Sequence, residues 1–263
     1  MLRNKYAPTA MALSLVVLSP TVFAAADWQN AMTSPDWDGS IGAGAFYAPD
    51  YLGSDDYETR GLPNLNLSYD DRFYLNIRDG LGWNFINYGA WSLSTYIGYV
   101  GGRDNEDDLS NLDKVDSGAA IGLRVALEDG PFNYSASVKT PVTGDVDGYQ
   151  LTLKGSWRTP LTENLFLSAG PGLIYSSERW TESKFGISEA ESARSGLSAY
   201  DVDKGYLRIR FGGAMTYRLS ADWSLTGLAG VAYLTGEAKD SPIVADIGDH
   251  VQGFGGLLMN YRF

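Results

Sequence analysis

The side chains that could carry acid–base chemistry in this sequence are few, because His250 is the only histidine among 263 residues. A hydrolase of the serine–histidine or aspartate–histidine type would use it as the general base, with Asp246 or Asp249 available to orient the ring. No nucleophile motif marks a serine that could complete such a set. The residues therefore predict a protein that is not an enzyme and that carries no cofactor.

Two runs of alternating carboxylates resemble the opening of a calcium-binding loop. They are Asp104-x-Glu106-x-Asp108 and Asp145-x-Asp147-Gly148. Neither run continues with the glycine and the distal glutamate that an EF-hand loop requires. Solvated charge in a loop is the simpler interpretation, so we predict no metal site.

The cationic side chains that could bind an anion share one face of alternating segments. Arg208, Arg210 and Arg218 alternate with apolar residues such as Leu207 and Phe211, which is the period-two pattern of a strand. An arginine facing lipid near the bilayer midplane costs about 2–4 kcal/mol. We therefore expect these arginines to face a polar lumen and the apolar face to meet lipid, although a soluble barrel or sandwich with the opposite orientation would show the same alternation. The same reasoning adds two lumen-lining residues from other segments, Arg124 and Lys154.

The elements that must position these residues are strands, because the alternation extends through almost the whole chain after residue 38. We predict twelve, at 39–48, 61–69, 72–78, 81–87, 90–101, 116–128, 131–142, 148–158, 164–175, 204–219, 222–235 and 250–263. Short turns alternate with longer polar loops, which is typical of an antiparallel up-and-down transmembrane β-barrel with both termini in the periplasm. If 72–87 is one long strand, the even count falls to ten. Pro171 conflicts with a closed barrel and predicts either a bulge or local loss of pairing.

The two ends of the chain indicate the compartment. Residues 1–26 combine Arg3 and Lys5 with a short apolar run and a small-residue stretch, which predicts a signal peptide cleaved after Ala24 or Ala26. The alternating residues Met259, Tyr261 and Phe263 resemble the C-terminal signature that the barrel-assembly machinery of Gram-negative bacteria recognises. We therefore expect export to the outer membrane, with 27–38 as a periplasmic segment and 39–263 as the barrel.

Composition narrows the classes of partner. Residues 27–263 hold 18 basic and 32 acidic side chains, a net charge of −14, because residues 1–26 contain two of the 20 basic residues and none of the acidic ones. Such acidity disfavours nucleic acid as a partner. The absence of cysteine excludes disulfides and thiolate metal sites.

Five groups of residues, in order along the chain, resemble the MipA/OmpV family of outer-membrane proteins. They are Ala48-Pro49-Asp50-Tyr51-Leu52-Gly53-Ser54 with Gly61-Leu62-Pro63, Phe185-Gly186-Ile187-Ser188 with Ser195-Gly196-Leu197 and Tyr200, Thr216-Tyr217-Arg218-Leu219 with Trp223-Ser224-Leu225, Asp240-Ser241-Pro242-Ile243-Val244, and Tyr261-Arg262-Phe263. The resemblance implies an outer-membrane barrel surrounded by lipid and lipopolysaccharide. For the best-known member it also implies a scaffold that joins a lytic transglycosylase to a bifunctional penicillin-binding protein.

Two functions follow as hypotheses. The first is a non-enzymatic scaffold for peptidoglycan-remodelling enzymes, with Trp28 and Trp37 as aromatic anchors for a periplasmic partner. The alternative is a channel or solute-binding barrel whose cationic lumen favours anions. The long segment 176–203 is the most plausible functional loop, because connections of this size are usually functional or disordered. Ser188–Arg194 could form a short helix within it, and the segment could either plug the lumen or stay at the surface.

Overall fold

The computed structural model describes residues 37–263, which form one closed antiparallel barrel of twelve strands in up-and-down order. The predicted signal peptide and most of the predicted periplasmic segment, including Trp28, lie outside the described residues. The strands are β1 (Trp37–Pro49), β2 (Tyr57–Tyr69), β3 (Phe73–Asn76), β4 (Gly80–Tyr88), β5 (Trp91–Val100), β6 (Gly118–Asp129), β7 (Phe132–Pro141), β8 (Gln150–Pro160), β9 (Leu165–Ser176), β10 (Tyr206–Arg218), β11 (Trp223–Leu234) and β12 (Val251–Arg262). The prediction of twelve strands is confirmed, and β3 and β4 are separate strands.

The apolar face of the strands points outwards. In β10, Phe211 and Met215 are 56% and 47% exposed, whereas Arg208 and Arg210 are 8% and 9% exposed. A soluble barrel would show the reverse, because it buries its apolar face in the centre. The expected orientation, with apolar residues facing lipid and cations facing the interior, is therefore the observed one.

The first strand begins at Trp37, two residues before the predicted start at residue 39. Trp37 pairs with Tyr69 across β1 and β2, and their ring centroids lie 4.9 Å apart. Asp38 accepts a hydrogen bond from Arg262 at 2.8 Å, which ties β1 to the end of β12. Both residues belong to the barrel because they extend the β1–β2 ladder, and Asp38 also joins β1 to the last strand.

Pro171 is accommodated by a local loss of pairing. It stands opposite Phe211 in a continuous β9–β10 ladder. On the other side, the β8–β9 ladder stops at Lys154–Gly172 and resumes at Trp157–Ala169 in the same register. The interruption is consistent with the missing N–H of proline, and no residue is inserted.

The wall is incomplete beside the short β3–β4 hairpin. β3 pairs with β2 only along Asn66–Tyr69, and β4 pairs with β5 only up to Ile97. Beyond the hairpin, β2 over residues 57–64 is paired on its β1 side alone, and no pairing between β2 and β5 closes the wall within the described chain. This gap is called the wall opening below.

The two ends of the barrel differ. One end, the turn end, carries short connections, whereas the other, the lid end, carries five longer connections at 50–56, 101–117, 142–149, 177–205 and 235–250. Four short helices lie in the last two, namely α1 (Glu178–Phe185), α2 (Glu189–Ser195), α3 (Gly236–Asp240) and α4 (Pro242–Ala245). None of the helices in residues 37–263 has the length and apolar character to cross a membrane.

The long connections form a packed lid over one mouth of the barrel. Phe185 packs with Tyr206, Leu234 and Val244, which joins α1 to the strand ends and to α4. A second buried cluster brings together residues from three connections, Leu109, Leu112, Ile187 and Ile243. Segment 176–203 packs across the mouth, where Trp180, Lys184 and Phe185 line the interior, so its placement is nearer to the predicted plug than to a loop that stays at the surface.

Candidate functional site

The barrel interior holds a cavity of about 950 Å³ beneath the lid. Trp180, Lys184 and Phe185 from the lid form its roof, and polar or cationic residues from most of the barrel strands form its walls. A cavity of this size is in the range of pockets that bind small ligands. The interior is therefore a candidate binding site.

A belt of cations lines the wall of this cavity around one carboxylate, Asp79, whereas the other carboxylates that line the cavity, Asp50, Glu58, Asp104, Glu106 and Asp107, lie towards the lid end. Asp79, in the β3–β4 turn, is paired with Arg124 at 2.6 Å and with Arg78 at 3.1 Å. The other members of the belt that line the cavity are Lys139, Lys154 and Arg208. None of these three forms an ion pair within residues 37–263, so the belt has excess positive charge.

The belt residues come from different strands and converge because their positions face inwards. Lys154 lies within electrostatic range of Arg78, Arg124 and Arg210. Gly172 leaves room for Arg210, since a Cβ at this glycine would lie 2.6 Å from the arginine Nε. Lys139 contacts the Trp180 ring, with its Nζ 5.4 Å from the centroid, and so connects the belt to the lid.

The five cations proposed from sequence are not equivalent. The structure brings Arg124, Lys154, Arg208 and Arg210 together in the belt. Arg218 lies in the last residues of β10 at the turn end, with its guanidinium carbon 5.2 Å from the Phe166 centroid. Arg218 is therefore an interior residue that does not belong to the belt.

The lid is held by a buried ion pair. Arg103 lies 3.3 Å from Glu191 and donates to the backbone carbonyls of Lys184 and Asp113 at 3.0 and 3.2 Å. Glu191 also accepts from the Asp113 N–H at 2.9 Å and from the Ser188 N–H at 2.8 Å. Connections 101–117 and 177–205 are thereby locked to each other through charge-assisted hydrogen bonds.

Glu191 is also the partner in a capping box that starts α2, because Ser188 caps the helix and Glu191 returns a bond to the Ser188 backbone. Burial acts to raise the pKa of Glu191, but the hydrogen bonds from Asp113 and Ser188 and the charge of Arg103 hold it below its usual range. The carboxylate is therefore ionised whenever the lid is closed near neutral pH.

The surroundings of Lys184 disfavour its charged form, whereas those of Glu191 favour the ionised carboxylate. Its Nζ donates to the carbonyls of Gly101 and Gly102, at 2.6 Å for the latter. Burial, together with the charges of Arg103 and Lys139, lowers the pKa of Lys184 to about 7. The lid therefore contains a group that changes charge near neutral pH.

His250 lies at the lid end, directly before β12. Its Nδ1 is 3.5 Å from Asp249, and its ring meets Tyr233 edge to face at 5.0 Å. These contacts orient the imidazole towards a carboxylate and an aromatic ring, and no serine hydroxyl joins them within residues 37–263. The geometry gives His250 a packing role.

The acidic residues of the loops do not group as their spacing in the sequence predicts. Asp108 meets Asp55 and Asp56 from another connection, and the three exposed carboxylates have ligand atoms within 4.8 Å of one another. Asp104 instead lies 3.9 Å from Lys114. Exposed carboxylates of this kind are stabilised by solvent, so the cluster assigns no metal.

The proposed partner and insertion residues lie on the outer surface. Trp37 is 55% exposed in the aromatic girdle at the turn end, a position typical of a membrane interface. Met259, Tyr261 and Phe263 share the outward face at the end of β12, with Tyr261 and Phe263 stacked at 6.5 Å. Whether Trp37 contacts a partner and whether these three residues direct insertion stay predictions.

Sequence reasoning missed several residues of the interior. Arg78 ends the predicted strand 72–78 and Asp79 follows it, so neither is predicted to line the lumen. Lys139 lies in the predicted strand 131–142, where it alternates with Val138 and Thr140. The lid pair Arg103 and Glu191 is separated by 88 positions. The capping-box spacing Ser188-x-x-Glu191 was the one local signal for the lid residues.

Comparison with known proteins agrees with this architecture. The MltA-interacting protein of Escherichia coli K12 is 28% identical over 203 residues, which cover 72% of this chain and 77% of that protein. The outer membrane protein YiaT of the same organism is 28% identical over 211 residues, covering 78% and 84%.

Solved barrels are more distant. The outer membrane channel DcaP of Acinetobacter baumannii is 10% identical with a TM-score of 0.39, covering 87% of this chain and 96% of that one. That level of similarity adds nothing to the strand order described above. Residues 41–263 match the model described as MltA-interacting protein MipA. The chain is therefore an outer-membrane β-barrel that belongs to the MipA family.

Proposed function

We propose that this protein is a non-enzymatic scaffold that anchors peptidoglycan-remodelling enzymes to the outer membrane. The relative whose name states that it interacts with MltA supports this, since it shares most of its length with this chain. A lytic transglycosylase is the partner class that this likeness favours, and a penicillin-binding protein is the second. In this proposal the turn end faces the periplasm, because outer-membrane barrels have short periplasmic turns and long outer loops.

The observation that carries the proposal is an acidic rim at the turn end. Exposed carboxylates recur in the short turns, and the exposed Arg72 lies 3.4 Å from Asp70 as a counter-charge within the rim. The rim consists of Asp70, Asp71, Glu128, Asp129, Glu163 and Asp222. A rim of one sign steers a partner that presents a basic patch, and it sets specificity and association rate more than raw affinity.

The experiment is capture of purified lytic transglycosylase of the MltA class by the full-length protein in detergent. Replacing the six rim carboxylates by their amides should greatly reduce capture at low salt. A matched variant neutralises six exposed lid carboxylates, namely Asp55, Asp56, Asp107, Asp108, Asp147 and Glu189, and should bind like the wild type. Equal capture by both variants would remove the rim from the proposal.

A deletion tests the N-terminal segment. Trp37 and Asp38 must be kept because they complete β1, so the deletion is limited to residues 27–36. Loss of capture would assign docking to that segment, with Trp28 as its anchor. Neither change touches β12. We therefore expect the barrel-assembly machinery, which we predict to use Met259, Tyr261 and Phe263, to insert both variants normally among the lipopolysaccharide of the outer membrane.

The alternative function, an anion-favouring channel or solute-binding barrel, has one supporting observation, which is the cationic belt. The packed lid opposes free flow through the mouth at that end, since Phe185 and Ile243 are each 1% exposed. Bilayer recordings separate the two proposals. A steady ohmic current with anion selectivity favours the channel, whereas silence with intact partner capture favours the scaffold.

A further inference from the structure

The wall opening exposes a strand edge on the membrane-facing side. The Ile77 N–H donates to the Leu65 carbonyl at 3.3 Å, so Leu65 directs its backbone groups towards the hairpin. Because backbone groups alternate along a strand, Pro63, Gly61 and Thr59 direct theirs into the opening. Irregular or unpaired backbone at membrane depth is tolerated only where it is covered by protein or lines a cavity. The opening therefore requires an occupant or a wet interior behind it.

The opening lies within the span of the membrane. Tyr57 stacks on Tyr47 with centroids 5.2 Å apart near the lid end, and Tyr69 packs on Trp37 near the turn end. Aromatic girdles of this kind mark the two membrane interfaces. The unpaired edge between Tyr57 and Leu65 therefore extends through the half of the membrane nearer the lid.

The opening and the interior are one continuous cavity. Thr59, Gly61 and Pro63, on the outward face of β2, line the same cavity as Lys154 and Arg208 in the interior. A Cβ at Gly61 would meet nothing within 4 Å. Space thus runs from the lipid side, past the edge of β2, to the cationic belt.

The residues along this path change from apolar to cationic. Pro63, Leu65 and Ile77 line the path beside the membrane, and Lys139, Lys154 and Arg208 stand behind it without ion-pair partners in the described chain. The Nε of Arg208 is buried and has no hydrogen-bond partner among residues 37–263. A molecule with an alkyl chain and an anionic head group would satisfy both parts of the path.

Pro63 also argues against a polypeptide strand as the occupant. It stands in the middle of the free edge and has no N–H to donate. A strand added there would lose a ladder bond at its centre, and proline on an edge is one of the features that prevent such pairing. The lid meanwhile closes the mouth, so the path through the wall is the access that the fold leaves from the membrane.

We propose that the wall opening admits an anionic amphipath from the membrane, with its chain between β2 and the β3–β4 hairpin and its carboxylate or phosphate at the cationic belt. This site is independent of the scaffold role, which uses the turn end. The belt supplies charge-assisted hydrogen bonds to the head group, and the path excludes molecules with a cationic head by repulsion from the belt.

The test uses the full-length protein reconstituted in phosphatidylcholine vesicles, with palmitate that carries a photoreactive diazirine on its chain. After irradiation, mass spectrometry should find labels concentrated on 57–65 and on the turn 77–79. An alkylammonium probe with the same chain and diazirine should label these residues much less. Inorganic phosphate in excess should leave palmitate labelling largely in place, because the alkyl chain contributes to binding. If phosphate abolishes the labelling, the site binds only free anions and the proposal is overturned.

Two variants locate the two parts of the site. Gly61→Trp fills the opening and should abolish the concentrated labelling, whereas Gly227→Trp, on the outward face of β11 where a Cβ meets Leu257 at an ordinary 3.5 Å, should not. Arg208→Gln combined with Lys154→Gln should remove the preference for palmitate over the alkylammonium probe. That pair relieves like-charge repulsion, so the barrel should fold, which circular dichroism verifies.

Labelling spread evenly around the barrel and unchanged by Gly61→Trp would show only annular lipid and would overturn the proposal. So would equal labelling by the two probes in the wild-type protein. Protection of the β2 amides by a copurifying polypeptide, with no lipid labelling, would replace the amphipath by strand addition.

Discussion

Neutralising Glu191 should open the lid without disturbing the barrel. In Glu191→Gln the side chain keeps its shape and one acceptor oxygen, but Arg103 loses the charge that compensates its burial. Breaking a buried pair from one side typically costs about 3–5 kcal/mol. Arg103 retains its bonds to the Lys184 and Asp113 carbonyls, so we expect a smaller loss, about 2 kcal/mol, in the free energy of lid opening.

That loss corresponds to an increase of about 30-fold in the lid-opening equilibrium. Native-state hydrogen exchange in detergent measures it through the amides of α2 and of Asp113, whose N–H groups depend on the closed lid. Amides in the β9–β10 ladder should keep their protection. Glu189→Gln is the matched control, since Glu189 lies in the same helical turn but is exposed.

Acid should reproduce the effect in the wild-type protein. The pKa of Glu191 is lower in the closed lid than in an open one, so its contribution is complete above the ordinary glutamate value and is lost as pH falls through the lowered pKa. Equal exchange in the two glutamine variants, or loss of strand protection together with lid protection, would refute the assignment of Glu191 as the group that holds the lid.

Two further predictions concern the lid. The pKa of Lys184 is lowered to about 7 in the closed lid, so the open form of the lid binds the proton more tightly. Protection of the lid amides should therefore rise from pH 7 towards the ordinary lysine pKa. Lys184→Met should flatten that rise. Phe185→Ala should cost about 3–5 kcal/mol of lid packing and should increase conductance in bilayers if the lid closes the lumen; unchanged conductance in a variant with a disordered lid would place the barrier elsewhere.

The lid and the wall opening together suggest a consistent division of the surface. The turn end offers exposed carboxylates to a protein, the wall offers an apolar path to an amphipath, and the lid closes the remaining mouth. The turn end shares no residues with the other two regions, whereas the cationic belt behind the wall opening meets the lid where Lys139 contacts Trp180. Rim variants should therefore leave amphipath labelling intact, and wall variants should leave partner capture intact, which makes the two proposals separable by experiment.

The sequence by itself determined the barrel. Alternation such as that of Arg208 and Arg210 with Phe211 assigns these side chains to opposite faces of a strand, and the cost of burying charge in lipid then selects the face that meets lipid in an outer-membrane barrel. The even strand count followed from short turns, and the short helix predicted at Ser188–Arg194 is observed as α2, where a local capping box starts it. These features depend on neighbours in sequence, and so a sequence can reveal them.

The tertiary structure alone decided the site. Arg124 joins Arg78 and Asp79, and Arg103 joins Glu191, only because strand register and loop packing bring distant segments together. The wall opening depends on how far a four-residue strand extends along β2, which no local pattern specifies. The charges that meet and the places where strand pairing stops depend on the relative heights of strands that are distant in the sequence. They are therefore properties of the closed sheet.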